Sequence, residues 1–184
     1  MPPNFGGRAC LPDMKRHTVA EINSLPCSEF VRLLGGVFEH SPWIAETTWG
    51  KRPFAGVEQV HGEMCEAVKM SGSEKQLALL RAHPDLVGRL AQQNQLTTES
   101  VREQASAGLG RLAPDEVAQF QRNNAAYHER FGFPFIICAR LNKKEAILAG
   151  FSRRLHHSLD EEIKTALEEV YKIAELRLYD LIAP

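Results

Sequence analysis

Four places in this sequence of 184 residues carry side chains that could do chemistry, and each also admits a structural explanation. The first is Ala82-His83-Pro84-Asp85. Proline disfavours helix at the residue before it, so His83 sits where the chain leaves a helix, with its ring free of helix packing. An imidazole there suits proton exchange near neutrality, although a capping or surface histidine would leave the same trace. The second is Ser100-Val101-Arg102-Glu103-Gln104. Ser100 and Glu103 have capping-box spacing, which would account for Glu103 structurally. The alternative is a carboxylate and an amide one turn into a helix, beside unpaired backbone donors. The third is Arg177, which falls on the apolar stripe Ile163, Ala166, Leu167, Val170, Ile173, Ala174, Leu181. A charge on a buried face is costly unless paired. It either reaches the rim or a structural carboxylate, or binds an anion or carbonyl inside a helical cleft. The fourth is the run Phe131 to Ala139. A lone extended segment in a helical protein cannot pair all its peptide groups, so free backbone donors and acceptors would line a pocket there.

Other chemistries find no support. Cys10, Cys27, Cys65 and Cys138 are scattered without a close pair, so no metal site is expected and the thiols read as free in a reducing cytoplasm. Gly108-Leu109-Gly110 follows no strand and is not a dinucleotide loop. His156 and His157 are adjacent on a helix and point apart. No P-loop or serine-triad signature is present. Lys plus Arg is 22 and Asp plus Glu is 23, a net charge of −1. That gives no basic footprint for nucleic acid. The longest apolar run, Phe133 to Ala139, is too short to span a membrane.

The elements that must position these residues read as helices. Hydrophobic residues make up 43% and charged residues 24%, which suits a soluble globular domain and argues against disorder. Residues Met1 to Asp13, with Pro2, Pro3, Gly6 and Gly7, read as a disordered extension without a signal peptide, and Met14 as an internal start. From there to Pro184 the chain reads as one all-α domain of seven or eight helices. Ser28 is expected to cap a helix from Glu29 to about His40, and a short helix follows from Trp43 to Thr48. Ala55 to Met70 and Glu74 to about Ala82 have helical periodicity. Asn94 to Thr98 reads as loop, with a helix from near Glu99 to Gly108. Asp115 is expected to cap Glu116 to Arg130, with Gly132 just past its end. Asn142 and Glu145 have capping-box spacing for a helix to about His157, and Ser158 caps a final helix from Leu159 to Leu181.

The same residues carry a family resemblance. Leu34-Gly35-Gly36-Val37-Phe38-Glu39-His40-Ser41-Pro42-Trp43 comes first, then Arg52-Pro53-Phe54. Ala82-His83-Pro84-Asp85-Leu86 with Gly88 follows, then Glu103-Gln104-Ala105-Ser106-Ala107-Gly108-Leu109 and Arg130-Phe131-Gly132-Phe133-Pro134-Phe135-Ile136. In order and spacing the chain resembles, from about Thr18 to Leu181, the decarboxylases of 2-oxo-4-hydroxy-4-carboxy-5-ureidoimidazoline (OHCU) in urate breakdown. The resemblance implies a helical, cofactor-free, commonly homodimeric enzyme that forms S-allantoin. It implies that His83, Glu103 and Arg177 are catalytic, with Arg177 orienting the substrate and stabilising charge shifted into its ring, and that Pro84 adjoins the substrate. Ser100 and Gln104 would complete a polar wall. Phe135, Ile136, Ile137, Cys138 and Ala139 would bind ring and ureido groups through their backbone. A helical hydrolase or lyase acting on a related ureido compound is the runner-up, and a non-catalytic helical interaction module the contrasting class. Such a module has no reason to gather His83, Glu103 and Arg177 in one pocket.

Overall fold

The computed structural model describes residues 16–88 and 97–184. Its helices are α1 (Val19–Ser24), α2 (Cys27–Leu34), α3 (Trp43–Trp49), α4 (Val57–Met70), α5 (Ser73–Arg81), α6 (Thr98–Ser106), α7 (Pro114–Phe131), α8 (Lys144–Arg154) and α9 (Leu159–Leu181), with a 3-10 turn at Ala139–Leu141. Helix α9 organises the fold. Ser158 caps it through the amide of Glu161, and the Glu161 side chain returns the bond to Ser158 N–H at 2.8 Å, as the sequence suggests. One face of α9 buries Ala166, Val170, Ala174 and Leu178 against α4 and α5. A single apolar cluster runs from Ile22 near the start of the described chain to Ile182 at its end. The backbone of His17 pairs with that of Leu181 and Ala183, both at 2.8 Å, so the two ends of the described fold are tied together. Among the described residues, no helix is long and apolar enough to cross a membrane.

Nine helices stand among the described residues where seven or eight are expected. The addition is α1, whose capping box joins Thr18 and Glu21. Only Ile22 is buried in it, so six residues leave almost no periodicity to read. Helix α2 starts at Cys27 after Pro26, not after a Ser28 cap, and stops at Leu34 well short of His40. Gly35 closes it with its N–H 2.7 Å from Val31 O, and a Cβ there would meet that oxygen at 2.5 Å. The chain therefore turns between Leu34 and Ser41, with His40 in the left-handed region at φ 47°. Helix α6 is capped by Thr97, not Ser100, so the proposed Ser100–Glu103 capping box does not form. Helix α7 starts at Pro114 rather than after Asp115; the Glu116 side chain accepts from Ala113 N–H at 2.9 Å. It ends at Gly132, φ 74°, as its position suggests. Helix α8 is preceded by Lys143, because the Asn142 side chain turns back to Cys138 O at 3.0 Å. Residues 134–138 are neither helix nor strand, and Cys138 at their end has extended dihedrals, φ −68° and ψ 92°. Residues Met1 to Asp13, Met14, Cys10 and the loop residues Asn94 to Leu96 lie outside the described residues.

Candidate active site

Helix α5 ends where Pro84 forbids its continuation, and this fixes His83. In a continuing helix the His83 N–H would reach Leu79 O. It turns instead to Leu80 O at 3.3 Å, and the imidazole Nδ1 takes up Leu79 O at 2.8 Å. A carbonyl oxygen only accepts, so Nδ1 carries the hydrogen and Nε2 of the neutral ring keeps its lone pair. Burial lowers the His83 pKa to about 4; the bond to Leu79 and the charge of Glu39 oppose that shift, while Arg177 adds to it. At neutral pH, His83 is therefore an uncharged base.

The segment after His83 is held from three sides. His128 Nε2 lies 2.8 Å from Asp85 Oδ1, Asn124 Nδ2 donates to Leu86 O at 2.8 Å, and Val87 N–H donates to Gln104 Oε1 at 3.1 Å. Val87 sits at φ 54°, a costly conformation for a β-branched residue. Such strain persists only where the surroundings over-determine it, as these bonds do here.

Arg177 is the centre of the charged wall. Its Nε and Nη2 donate to Glu103 Oε1 and Oε2, both at 2.8 Å, the bidentate arrangement that fits a planar fork. Its Nη1 donates to Glu39 Oε2 at 2.9 Å. Burial works against the Arg177 charge, but Glu103 and Glu39 outweigh it and hold its pKa above the ordinary value. Of the two sequence alternatives for this arginine, the structural carboxylate is realised twice over. Ser100 Oγ lies between these groups, 3.4 and 3.5 Å from Glu39 and 3.5 Å from Arg177 Nη2.

The opposite wall is the extended segment. A buried ion pair braces it from behind: Arg154 Nε and Nη2 reach Glu162 Oε1 at 2.8 and 2.5 Å, and Nη1 donates to Ile136 O at 2.7 Å. The Arg154 guanidinium also lies 4.4 Å from the Phe135 ring centroid. Tyr127 donates to Glu162 Oε1, and burial followed by that bond pushes the phenol pKa up. His157 Nδ1 meets Glu162 Oε2 at 2.8 Å.

These walls enclose one cleft, lined by His83, Pro84, Leu86, Ser100, Glu103, Gln104, Phe135, Ile136, Ile137, Ala139, Ile173 and Arg177. Ten of these come from the sequence expectation; Leu86 and Ile173 are additions. Cys138 is the exception. Its N–H is taken by Glu169 Oε2 at 2.7 Å, and its carbonyl accepts from Leu141 N–H at 3.0 Å, so its backbone is committed within the protein. Burial pushes the Cys138 thiol up to about 11, which leaves it inert. By contrast, among the described residues the N–H and C=O of Ile137 and the N–H of Ala139 make no hydrogen bond. Sequence reasoning missed Glu39, Thr97 and the Arg154–Glu162 brace. The signal for Glu39 was an acidic residue directly after Val37-Phe38, beside a Gly35-Gly36 turn. Among the described residues, no group of three His, Cys, Asp or Glu side chains could hold a metal ion.

The imidazole of His83, the arginine-held carboxylate of Glu103 and the unbonded backbone groups of Ile137 and Ala139 thus meet on one cleft of a helical protein. The chain is a member of the OHCU decarboxylase family, whose model matches residues 23–179. It is 44% identical over 165 residues to the 2-oxo-4-hydroxy-4-carboxy-5-ureidoimidazoline decarboxylase of Haloferax volcanii, covering 90% of this chain and 96% of that one. It is 43% identical over 167 residues to the Mus musculus decarboxylase of the same name, covering 89% and 92%. Among solved structures, a crystal structure of (S)-allantoin synthase superposes with a TM-score of 0.73 at 32% identity. That match covers 90% of this chain but 54% of the other, so the chain spans about half the length of that relative.

Proposed function

We propose that this protein removes carbon dioxide from 2-oxo-4-hydroxy-4-carboxy-5-ureidoimidazoline and delivers S-allantoin, as a step of urate breakdown. The observation that carries the reading is the convergence of His83, just past the end of α5, and of Glu103 and Gln104 from α6, on one cleft with the unbonded backbone of Ile137 and Ala139. An interaction module gives no reason for that convergence, and the family membership makes the substrate specific.

The chemistry follows from the substrate and the site. The bond from the ring carbon to the carboxylate breaks, and its electron pair forms a C=C bond to the ureido-bearing carbon. The ring C=N pair moves onto nitrogen, which takes a proton. The hydroxyl then gives up its proton to become a carbonyl, and the C=C pair collects a proton at the ureido-bearing carbon. Overall one proton replaces one carbon dioxide. The ring C=N is the electron sink, a role that many enzymes assign to a cofactor. This supports a cofactor-free and metal-free reading.

His83 Nε2, the ring nitrogen left with its lone pair, accepts the hydroxyl proton and returns a proton to the ureido-bearing carbon from one face, which sets the S configuration. The Nδ1–H bond to Leu79 O steadies the imidazolium formed between those steps. Glu103, fixed by Arg177, accepts hydrogen bonds from the ring N–H groups. Ser100 supplies a hydroxyl, and Gln104 keeps Pro84 and its neighbours against the ring. Phe135 and Ile136 shape the far wall, and Ile137 and Ala139 bind the ureido group through their backbone. Cys138 shapes that wall from behind. We also read the enzyme as cytoplasmic and homodimeric, the latter being common in the family.

The test is to generate the unstable substrate with urate oxidase and hydroxyisourate hydrolase, add this protein, and follow allantoin by circular dichroism. Rapid appearance of S-allantoin is expected. Allantoin that forms at the spontaneous rate and as a racemate would refute the reading.

A further inference from the structure

Arg177 has five N–H donors, and acceptors of the protein surround them. Nε and one Nη2 hydrogen go to Glu103 at 2.8 Å, and the other Nη2 hydrogen points to Ser100 Oγ at 3.5 Å. The Nη1 pair goes to Glu39 Oε2 at 2.9 Å and to the carbonyls of Gly36 and Val37 at 3.3 and 3.4 Å. Arg177 borders the cleft, yet Nε, one Nη2 hydrogen and Nη1 are held by carboxylates, so it has no pair of adjacent free donors to offer an incoming carboxylate. Glu39 is 2% exposed and does not border the cleft. Its other neighbours are Thr97 Oγ1 at 3.2 Å, Ser100 Oγ, and the exposed His40 ring at 3.9 Å. The early stop of α2 at Gly35 is what turns Glu39 inward.

We propose that Glu39 is a positioning residue of the cleft: it fills the Nη1 side of Arg177, so that the guanidinium braces Glu103 and does not grip the carboxylate of the substrate. The inference rests on the decarboxylation reading. In that reaction the negative charge leaves the carboxylate and moves into the ring as the C–C bond breaks. A free arginine fork would bind the carboxylate bidentately. That grip would favour bound substrate over the transition state, and turnover would fall as affinity rose. A carboxylate planted behind the guanidinium prevents it without entering the cleft.

The test compares two probes of nearly the same shape, one with a carboxylate and one with a neutral amide, hydantoin-5-acetate and hydantoin-5-acetamide, titrated calorimetrically into the full-length protein. In the wild type the carboxylate should add less than about threefold in affinity over the amide, because Arg177 is occupied. In Glu39→Gln it should add about tenfold or more, with the amide unchanged within about twofold. KM for the decarboxylase substrate should fall together with kcat, and Glu39→Asp, which keeps the charge, should restore the wild-type pattern. If Glu39→Gln does not fold, Glu39→Met of similar size carries the same expectation. A wild type that already gains about tenfold from the carboxylate overturns the proposal without any variant. So does a folded Glu39→Gln with unchanged selectivity and unchanged KM and kcat. A wild type that makes no S-allantoin refutes the decarboxylase reading instead, while the two probes still report whether Glu39 occupies Arg177.

Discussion

Replacing His83 by Asn separates its fold from its chemistry. The Asn amide nitrogen stands where Nδ1 stands and can keep the bond to Leu79 O, but nothing replaces Nε2. Loss of general acid–base catalysis costs about 10²–10⁴-fold in rate, so turnover should fall by that order while allantoin binding changes little. Stability carries a second signature. Burial holds the folded-state pKa near 4 against 6.5 for a free imidazole. Below pH 6.5 the unfolded chain takes up a proton that the folded chain refuses. The stability due to His83 is therefore present above pH 6.5, falls as pH drops, and is gone below about pH 4. One pH unit across that window is worth about 1.4 kcal/mol. Between pH 7 and pH 5 the wild type should lose about 2 kcal/mol more than His83→Asn, read from urea unfolding at each pH. For the same reason kcat/KM should hold through pH 6.5 and fall only as pH approaches the low value. Parallel loss of stability in both proteins, or an activity limb at pH 6.5, would refute the neutral buried base. Production of S-allantoin by His83→Asn at near wild-type rate would remove His83 from the chemistry and move attention to Glu103.

Other perturbations test the walls. Arg177→Lys replaces a planar fork by a point charge that cannot hold both oxygens of Glu103 and also Glu39. Turnover should fall roughly 10²-fold through misplacement of Glu103, and the melting temperature should fall with it; unchanged turnover with lower stability would make Arg177 purely structural. Glu162→Gln leaves the Arg154 charge buried without its counter-ion, and breaking such a pair costs about 3–5 kcal/mol. Urea unfolding measures that loss, and a stability within error of the wild type would show that the brace behind Phe135 and Ile136 is not stabilising. Exhaustive chelation and dialysis should leave S-allantoin formation unchanged, because the ring C=N supplies the electron sink; activity lost to chelator and restored by one divalent metal would overturn the mechanism.

Sequence alone determined the helical class, because apolar residues recur at helical spacing over most of the chain and need no partner to be recognised. It also determined the strongest boundaries. Ser158 and Glu161 act within one turn, and Gly132 tolerates the left-handed conformation that its helix end requires, so both signals are local. The break at His83-Pro84 was equally legible, since proline acts on its immediate neighbour. Local signals misled where a longer-range partner competed for the same group. Asn142 gave its amide to Cys138 O, and Thr97 took the cap expected of Ser100. Only tertiary structure decided the chemistry. Whether Arg177 was a rim residue or a paired one depended on Glu103 and Glu39, which lie 74 and 138 positions away in the chain. Glu39 itself was hidden because its role comes from where a turn points it. The state of His83 was undecidable from its type, because an imidazole can serve as acid or base. Burial and the oxygen of Leu79, fixed by folding, made it a neutral base.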